Sequence, residues 1–217
     1  MISHAMEDYL KAVYQLTTDG KKVSTSRLAK QMNCSAASVS NMLQKLSDLK
    51  LVDYEPYQGA ILTTPGNKIA LEVLRHHRLI ELYLSEILGY SWDKVHAEAE
   101  ALEHVISEQF EEKIDEVLGY PTRDPHGHSI PTKDGTVERL ELHSLWEMSE
   151  GDNVRVQRVN DRYPEVLRYL ASIGIFPEVV INVVNRVPFN RPLNVEIGKL
   201  KHSLSEELAR QIFVTLN

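Results

Sequence analysis

Residues 23–49, VSTSRLAKQMNCSAASVSNMLQKLSDL, decide the fold because they hold two short helical patterns separated by a tight break. Hydroxyl residues stand before each pattern, Ser24 before the first and Ser35 before the second, as helix caps do. In the second pattern apolar residues recur every three or four positions from Val39 to Leu49, which predicts one buried helix face. The stretch therefore predicts a helix, a turn and a second helix.

The flanking sequence extends this unit on both sides. Residues 5–17 carry apolar side chains at helical spacing, which predicts an amphipathic first helix. Residues 52–66 contain two short β-type runs around Pro56 and Gly59, which predicts a hairpin. Helix, helix, turn, helix and hairpin is the order of a winged helix-turn-helix, which we predict for residues 1–65.

In a helix-turn-helix the second helix enters the major groove, and the side chains near its N-terminus contact base edges. The residues at these positions are Ser35, Ala37, Ser38, Ser40 and Asn41. Arg27, Lys30 and Lys45 are placed to reach phosphates, and Tyr57 with Gln58 lies at the predicted tip of the wing. A winged helix used for protein contacts, or a simple helical bundle, is the alternative interpretation.

The remainder of the chain predicts two further regions. Residues 66–120 read as two long helices, 66–90 and 92–118, which we expect to pair with a second copy of the chain. Residues 121–139, rich in Pro and Gly, predict a linker. Residues 140–217 predict a small barrel of about five strands. The predicted strands are 153–159, 179–187, 193–197 and 212–217, and the predicted helices of this region are 164–174 and 205–210. The predicted class is α+β.

Charge is distributed unevenly along the 217 residues, whose net charge is −7. Residues 1–65 have seven Lys/Arg against six Asp/Glu, residues 66–120 have five against twelve, and residues 121–217 have twelve against thirteen. Cys34 is the single cysteine, which excludes an intramolecular disulfide and favours a cytoplasmic location. No apolar run has the roughly 20 residues that a membrane helix needs, so we expect no membrane partner.

Six of the nine histidines lie between residues 76 and 128, a range that overlaps the acidic middle of the chain. Glu100, Glu103 and His104 stand at i, i+3 and i+4 in a predicted helix, so they are expected on one face. Carboxylates interleaved with imidazoles form cation sites, whereas the alternative is a solvated acidic surface. His76, His143 and His202 are interpreted as surface or core residues, and the role of His128 is left open.

Four motifs together resemble the diphtheria-toxin-repressor family of metal-dependent repressors. They are EDYL at 7–10, HRLIE at 77–81, KVHAEAEALEHV at 94–105 and DPHG at 124–127. The resemblance extends along the whole chain and is strongest to the three-domain form of the manganese-transport-regulator branch, whose C-terminal domain is SH3-like. It implies a homodimer that binds palindromic operators in double-stranded DNA and represses metal-uptake genes. It also implies Mn(II), or alternatively Fe(II), as the cofactor, at two sites per chain.

The resemblance also implies which residues bind metal. The primary set consists of Asp8, Glu100, Glu103 and His104, with His77 nearby. The iron-sensing members have Met and Cys at the positions of Asp8 and Glu100, so two carboxylates here favour the manganese branch. Lys11 stands where two-domain manganese regulators have Glu, which argues against their closely spaced pair of ions. A separate second site is implied instead. Its residues are Glu81, Asp124, His126 and either Asp161 or, as second choice, Glu165, with His96 as an ancillary ligand.

Two other classes of function remain open at this point. A di-metal carboxylate enzyme uses Glu-x-x-His pairs, but the residue three before His104 is Ala101. A winged-helix regulator that responds to an organic ligand is the second alternative. Metal-dependent DNA binding separates both from the repressor.

Overall fold

A computed structural model of the protein describes residues 2–17, 20–186 and 192–217, and the chain divides into two compact units. The first unit comprises Met1–His76, Glu103–Ile106 and Pro131–Thr136, and the second comprises His77–Leu102, Ser107–Ile130 and Val137–Asn217. Each unit is described by itself below.

The first unit begins as a three-helix bundle followed by a hairpin. Its elements are α1 (His4–Leu16), α2 (Thr25–Gln31), α3 (Ala36–Asp48), β1 (Val52–Glu55) and β2 (Gly59–Leu62), and the long α4 (Thr64–Glu86) starts in it. Ser3, Ser24 and Ser35 cap the first three helices, each accepting a hydrogen bond from the backbone N–H three residues on. The predicted caps at Ser24 and Ser35 are thereby confirmed.

The turn between α2 and α3 is tight. Asn33 adopts a φ of 48°, a left-handed conformation that asparagine tolerates better than most residues. The backbone N–H of Cys34 donates to the carbonyl of Ala29 at 3.1 Å, which ends α2. Leu28 and Leu43, on the two sides of the turn, are fully buried in one core. The turn and this shared core fix the orientation of α3 on the unit.

The hairpin packs closely on the segment before α2. β1 and β2 pair antiparallel, with Val52 opposite Leu62, and Val23 forms backbone hydrogen bonds with Ala60 in both directions. A Cβ at Gly59 would lie 2.3 Å from the Val23 oxygen, so only glycine allows this approach. The predicted winged helix-turn-helix is confirmed.

The second unit contains the rest of α4, then α5 (Val95–Leu102) and α6 (Glu108–Val117). The predicted single helix over 92–118 is wrong, because the chain leaves helical geometry after Leu102 and restarts at Glu108. Ser107 causes the restart, since its side chain accepts from the Phe110 N–H at 3.2 Å and caps α6.

This break changes the position of two predicted ligands. Glu103 and His104 lie in the turn after α5, not on the helix that carries Glu100. The prediction that the three side chains share one helix face is therefore wrong. Residues 103–106 also belong to the first unit, whereas Glu100 belongs to the second.

The C-terminal part of the second unit is an antiparallel sheet. Its strands are β3 (His143–Ser144), β4 (Asn153–Val159), β5 (Val180–Arg186), β6 (Leu193–Ile197), β7 (Leu200–Leu204) and β8 (Ile212–Leu216), with helices α7 (Pro164–Ser172) and α8 (Glu206–Ala209). The strand order is β3-β8-β4-β5-β6-β7. Within the described residues there are thus six strands where about five were predicted. Val187, the last residue of the predicted strand 179–187, lies outside the described residues.

The inward positions of these strands build one apolar core. Val154, Val156, Ile181, Val195 and Val214 alternate along their strands and are buried. The α+β class is confirmed. Among the residues that the structure describes, no helix has the length and hydropathy needed to cross a membrane.

Candidate metal centres and nucleic-acid interface

The recognition helix α3 has one apolar face and one polar face. Val39, Leu43 and Leu46 point into the core of the first unit. Ser38, Asn41 and Lys45 follow one another at helical spacing on the exposed side. The side chains on this face are short near the N-terminus, so a base edge can approach the helix closely.

The other predicted DNA-contacting residues surround this face. Ser35 and Ala37 are exposed and Ser40 is partly exposed. Arg27 is exposed on α2, and Tyr57 is fully exposed in the hairpin turn with a φ of 68°. All are therefore accessible to a nucleic acid.

A cluster of carboxylate and imidazole side chains lies in the first unit, where α1 contacts residues 103–104. His104 Nε2 lies 2.8 Å from Asp8 Oδ1 and 3.2 Å from Glu103 Oε1. One ligand atom from each of these three residues lies within 4.8 Å of the others. Asp8, Glu103 and His104 are thus brought together from distant parts of the sequence.

Two charged neighbours complete this group. Lys11, also on α1, places its ammonium 2.5 Å from Glu103 Oε1, and both side chains are buried. His104 Nδ1 lies 2.6 Å from Glu7 Oε2, a contact that the sequence did not predict. Glu7 and Asp8 are adjacent on a helix, so their spacing does not predict that both contact His104.

A larger group of ionisable side chains lies in the second unit, centred on Glu81 of α4. Glu81 is fully buried. Its Oε1 lies 3.0 Å from His77 Nε2 and 3.1 Å from His96 Nδ1. Its Oε2 has no hydrogen-bond partner and lies 3.8 Å from His126 Nδ1. Glu81 therefore faces imidazoles with both carboxylate oxygens.

The loop 124–128 presents two more predicted ligands. Asp124 Oδ1 accepts from the backbone N–H groups of His126 and His128, at 2.8 and 2.9 Å. Asp124 Oδ2 has no hydrogen-bond partner. His126 donates from Nε2 to the Trp92 carbonyl at 2.7 Å, which fixes the ring and turns Nδ1 toward Glu81 Oε2.

Glycine holds this loop against the sheet. Gly127 has a φ of +90°, and a Cβ there would lie 1.9 Å from the Gln157 oxygen of β4. The Val159 N–H donates to the His126 carbonyl at 2.9 Å. The loop is thereby fixed beside the end of β4, which leads to Asp161.

Asp161 is the acid that the sheet contributes to the group. Its Oδ2 lies 3.8 Å from His96 Nδ1 and 3.8 Å from His128 Nδ1. Glu165, the second choice, is exposed in the first turn of α7. Glu100 also lies in the second unit, with Oε1 3.9 Å from both His77 Nδ1 and His96 Nε2.

The charges of this group stabilise one another. Burial alone raises the pKa of Glu81, but the nearby His77, His126 and His96 hold it well below its ordinary value. Burial lowers the pKa of His126, yet Glu81, Asp124 and Asp161 outweigh burial and raise it to about 9. Burial likewise opposes ionisation of Asp161, but the imidazoles keep its pKa below the ordinary value. The group thus combines ionised carboxylates with imidazoles deep in the protein.

Four buried atoms of this group lack hydrogen-bond partners: Glu81 Oε2, Asp124 Oδ2, His126 Nδ1 and His128 Nδ1. Unpaired buried polar atoms are rare because each costs about 1–3 kcal/mol. Oxygen and imidazole donors of this kind suit a divalent cation such as Mn(II) or Fe(II). The residues present therefore fit a metal ion.

A winged helix with a polar recognition face, combined with buried carboxylate–imidazole groups, defines a metal-responsive DNA-binding protein. Family models agree with this class along the chain. Residues 1–60 match the iron-dependent repressor N-terminal DNA-binding domain, 63–132 match its metal-binding and dimerisation domain, and 143–216 match the FeoA domain.

Individual relatives agree as well. The diphtheria toxin repressor of Corynebacterium efficiens is 36% identical over 82% of this chain and 82% of its own length. The iron-dependent repressor IdeR of Mycobacterium leprae is 29% identical over 96% of this chain and 95% of its own length. A solved manganese-dependent transcriptional repressor in complex with manganese is 38% identical, covers 98% of this chain and 100% of its own, and superposes with a TM-score of 0.90.

The chain belongs to the diphtheria-toxin-repressor family of metal-dependent DNA-binding repressors. The enzyme alternative is excluded, because this is a family of transcriptional repressors. The C-terminal sheet is accordingly an SH3-like FeoA domain.

Proposed function

We propose that the protein is a Mn(II)-activated repressor of metal-uptake genes, with Fe(II) as the alternative metal. It acts in the cytoplasm as a homodimer on palindromic operators. Residues 1–65 read DNA, 66–120 pair the two copies and bind metal, and 140–217 form the SH3-like domain beyond the linker 121–139. The observation that carries this proposal is the donor set, which consists of carboxylates and imidazoles.

The donor chemistry favours Mn(II). Oxygen donors suit Mn(II), whereas thiolate and thioether ligands favour softer ions. The single thiol, Cys34, lies in the helix-turn-helix with Sγ 3.3 Å from the Tyr9 hydroxyl, and it belongs to none of the candidate metal groups among the described residues. The similarity to the manganese-dependent repressor supports the same metal.

Two metal sites per chain are proposed. The first uses Asp8, Glu103 and His104, with Glu100 and His77 as further ligands from the family resemblance. The second uses Glu81, Asp124, His126 and Asp161, with His96 as an ancillary ligand. The contacts of the second set and its unpaired buried atoms support it.

The residues around Asp8 suggest how binding reaches the DNA. Asp8 lies on α1, whose Leu10 and Val13 are fully buried in the same core as Leu43 of α3. Holding Asp8 against Glu103 therefore restricts α1 and the recognition helix packed on it. A bound metal ion would supply positive charge beside Asp8 and Glu103. It would favour the DNA-binding conformation to the extent that it binds that conformation more tightly than the other.

Exposed apolar residues support dimerisation. Phe110, Val117 and Tyr120, on α6 and just after it, are 48%, 60% and 69% exposed. Phe110 and Val117 are seven residues apart on α6 and hence on one face, and exposed apolar surface of this kind marks interaction sites. A second copy of the chain is the proposed partner, and a dimer matches the two half-sites of a palindrome.

Operator binding in a gel shift, with chelator and then across a series of Mn(II), Fe(II), Co(II) and Zn(II), tests the function. Binding that requires metal and is strongest with Mn(II) supports the proposal. Binding that is unaffected by chelator but responds to an organic ligand favours the alternative regulator. The change Asp8→Met with Glu100→Cys should lower the response to Mn(II) relative to Fe(II) or Co(II), because it replaces two hard donors by soft ones.

Metal stoichiometry tests the second site. The variant Asp124→Ala/His126→Ala should bind one ion fewer per chain than the parent protein. His143→Ala, which removes a half-exposed imidazole on β3, is the matched control. An unchanged count in the double variant contradicts the second site.

A further inference from the structure

His128 occupies a position in the loop 124–128 that is set by the fold of the loop. The loop is closed by the Asp124 N–H donating to the His128 carbonyl at 3.0 Å and by the Gly127 N–H donating to the Asp124 carbonyl at 3.0 Å. The His128 N–H is held by Asp124 Oδ1. The backbone of His128 is therefore as firmly placed as that of His126.

The ring of His128 is turned toward the acids of the buried group. Its Nδ1 lies 3.2 Å from Asp124 Oδ2 and 3.8 Å from Asp161 Oδ2. Neither contact has hydrogen-bond geometry, since both Nδ1 and Asp124 Oδ2 lack a hydrogen-bond partner although they are buried from solvent. A buried imidazole nitrogen in such a position is placed to bind a cation that the same carboxylates also contact.

The neighbouring ligand atoms converge on the same place. One atom each from Asp124, His126 and His128 lies within 4.8 Å of the others, and His126 Nδ1 and Glu81 Oε2 are likewise buried without partners. The His126 and His128 rings are 6.4 Å apart and inclined at 70°, so they are not stacked on each other. Two imidazoles of one loop thus offer nitrogen to one location.

We propose that His128 is a direct ligand of the metal ion in the second site, together with Glu81, Asp124, His126 and Asp161. The inference rests on the proposed function, because it requires that this site binds metal. It makes the site a set of two imidazoles and three carboxylates. The added imidazole increases affinity for Fe(II) and Co(II) more than for Mn(II), since nitrogen donors suit the later metals better.

The test uses the full-length chain with His104→Ala, which weakens the first site, loaded with Mn(II) or Co(II). Into this background go His128→Ala, His128→Asn and the control His143→Ala. Pulsed electron paramagnetic resonance of bound Mn(II) counts the coordinated imidazole nitrogens. Calorimetric titration gives the dissociation constants, and thermal unfolding without metal checks that each variant folds.

We expect His128→Ala to lose one coordinated nitrogen and at least about tenfold in Mn(II) affinity, because even neighbours of ligands contribute tenfold or more. The loss should be larger for Co(II). His128→Asn keeps a polar side chain of similar reach, so it should fold like the parent and still lack the nitrogen. His143→Ala should match the parent in both measurements.

Three results would overturn the inference, and they are distinguishable. If Mn(II) binds and the nitrogen count is unchanged in His128→Ala, the second site exists but His128 does not bind the ion. If His128→Asn restores full affinity without the second nitrogen, His128 only positions the loop. If the His104→Ala chain binds no Mn(II) at all, the second site of the proposed function fails as well.

Discussion

Breaking the buried ion pair of Lys11 and Glu103 should strongly destabilise the metal-free first unit. Its Nζ–Oε1 distance is 2.5 Å, and the side chains are 7% and 0% exposed. At that distance the attraction is about 7 kcal/mol for an effective dielectric constant of roughly 20, before desolvation is subtracted. Removing one partner of a buried pair typically costs about 3–5 kcal/mol, because the other charge stays buried.

We therefore expect Lys11→Met to lower the free energy of unfolding by about 3 kcal/mol in chelator. The lower end of the range applies because His104 Nε2 lies 3.2 Å from the same Glu103 oxygen, so Glu103 keeps a polar neighbour when the ammonium is lost. Urea unfolding followed by circular dichroism gives the value. The double variant Lys11→Met/Glu103→Gln should recover much of the loss, since no buried charge is left alone.

Lys22 supplies the matched control. Its Nζ also lies 2.5 Å from a carboxylate oxygen, that of Glu55, but the side chains are 29% and 54% exposed. Lys22→Met should therefore cost only roughly 0–1 kcal/mol. If Lys11→Met costs no more than Lys22→Met, burial does not set the strength of the Lys11 pair and the reasoning is wrong. Mn(II) should stabilise Lys11→Met more than the parent, because a cation replaces the missing ammonium.

Three further predictions concern DNA binding and the loop beside β4. Asn41→Ala should weaken operator binding by about 1–3 kcal/mol and relax sequence preference. Arg27→Ala should weaken binding to all DNA sequences and flatten its salt dependence in fluorescence titrations. If both variants had equal effects on every sequence, the placement of α3 would be contradicted. Gly127→Ala should cost at least about 1–3 kcal/mol of unfolding free energy, because its φ is +90° and its Cβ would overlap a backbone oxygen. Gly198→Ala, with a φ of +61° but open space around the Cβ, should cost less in the same denaturation assay. Asp124→Asn should keep the folded loop, because its carbonyl oxygen still accepts both N–H groups, but lose metal from the second site by elemental analysis; full metal retention would show that Oδ2 is not a ligand.

Local rules were sufficient for the DNA-binding part of the fold. Ser24 and Ser35 were identifiable as caps because hydroxyl capping depends only on neighbours in sequence. The same rule was available at Ser107, where the acidic residues that follow also signal a helix start. The continuous apolar spacing across 92–118 concealed this break. β7 was missed because its sequence, LKHSL, has three polar residues in a row, and pairing with β6 rather than pattern makes it a strand.

The candidate sites depended on contacts that sequence spacing does not encode. The motif resemblance supplied Asp8, whose contact with His104 joins residues 96 positions apart. No periodicity linked Glu7 to His104, because that contact depends on the turn after α5. The role of His128 stayed open, since an alternating pair of histidines in a Pro- and Gly-rich segment reads equally as a solvated loop. The hydrogen bonds to Asp124 Oδ1, seen only in the folded chain, distinguish an ordered ligand loop from a solvated one.

The two oxygens of Asp124 have separate tasks, and this division affects how quickly the protein can respond. Oδ1 shapes the loop through two backbone N–H groups, while Oδ2 is left without a hydrogen-bond partner. Because these hydrogen bonds involve no ion, the loop should keep its folded form without metal, and little conformational entropy should be lost on binding. A preorganised site of this kind equilibrates with the free metal concentration without waiting for a folding step. The metal occupancy of the site should then depend only on the free metal concentration, without hysteresis between rising and falling metal.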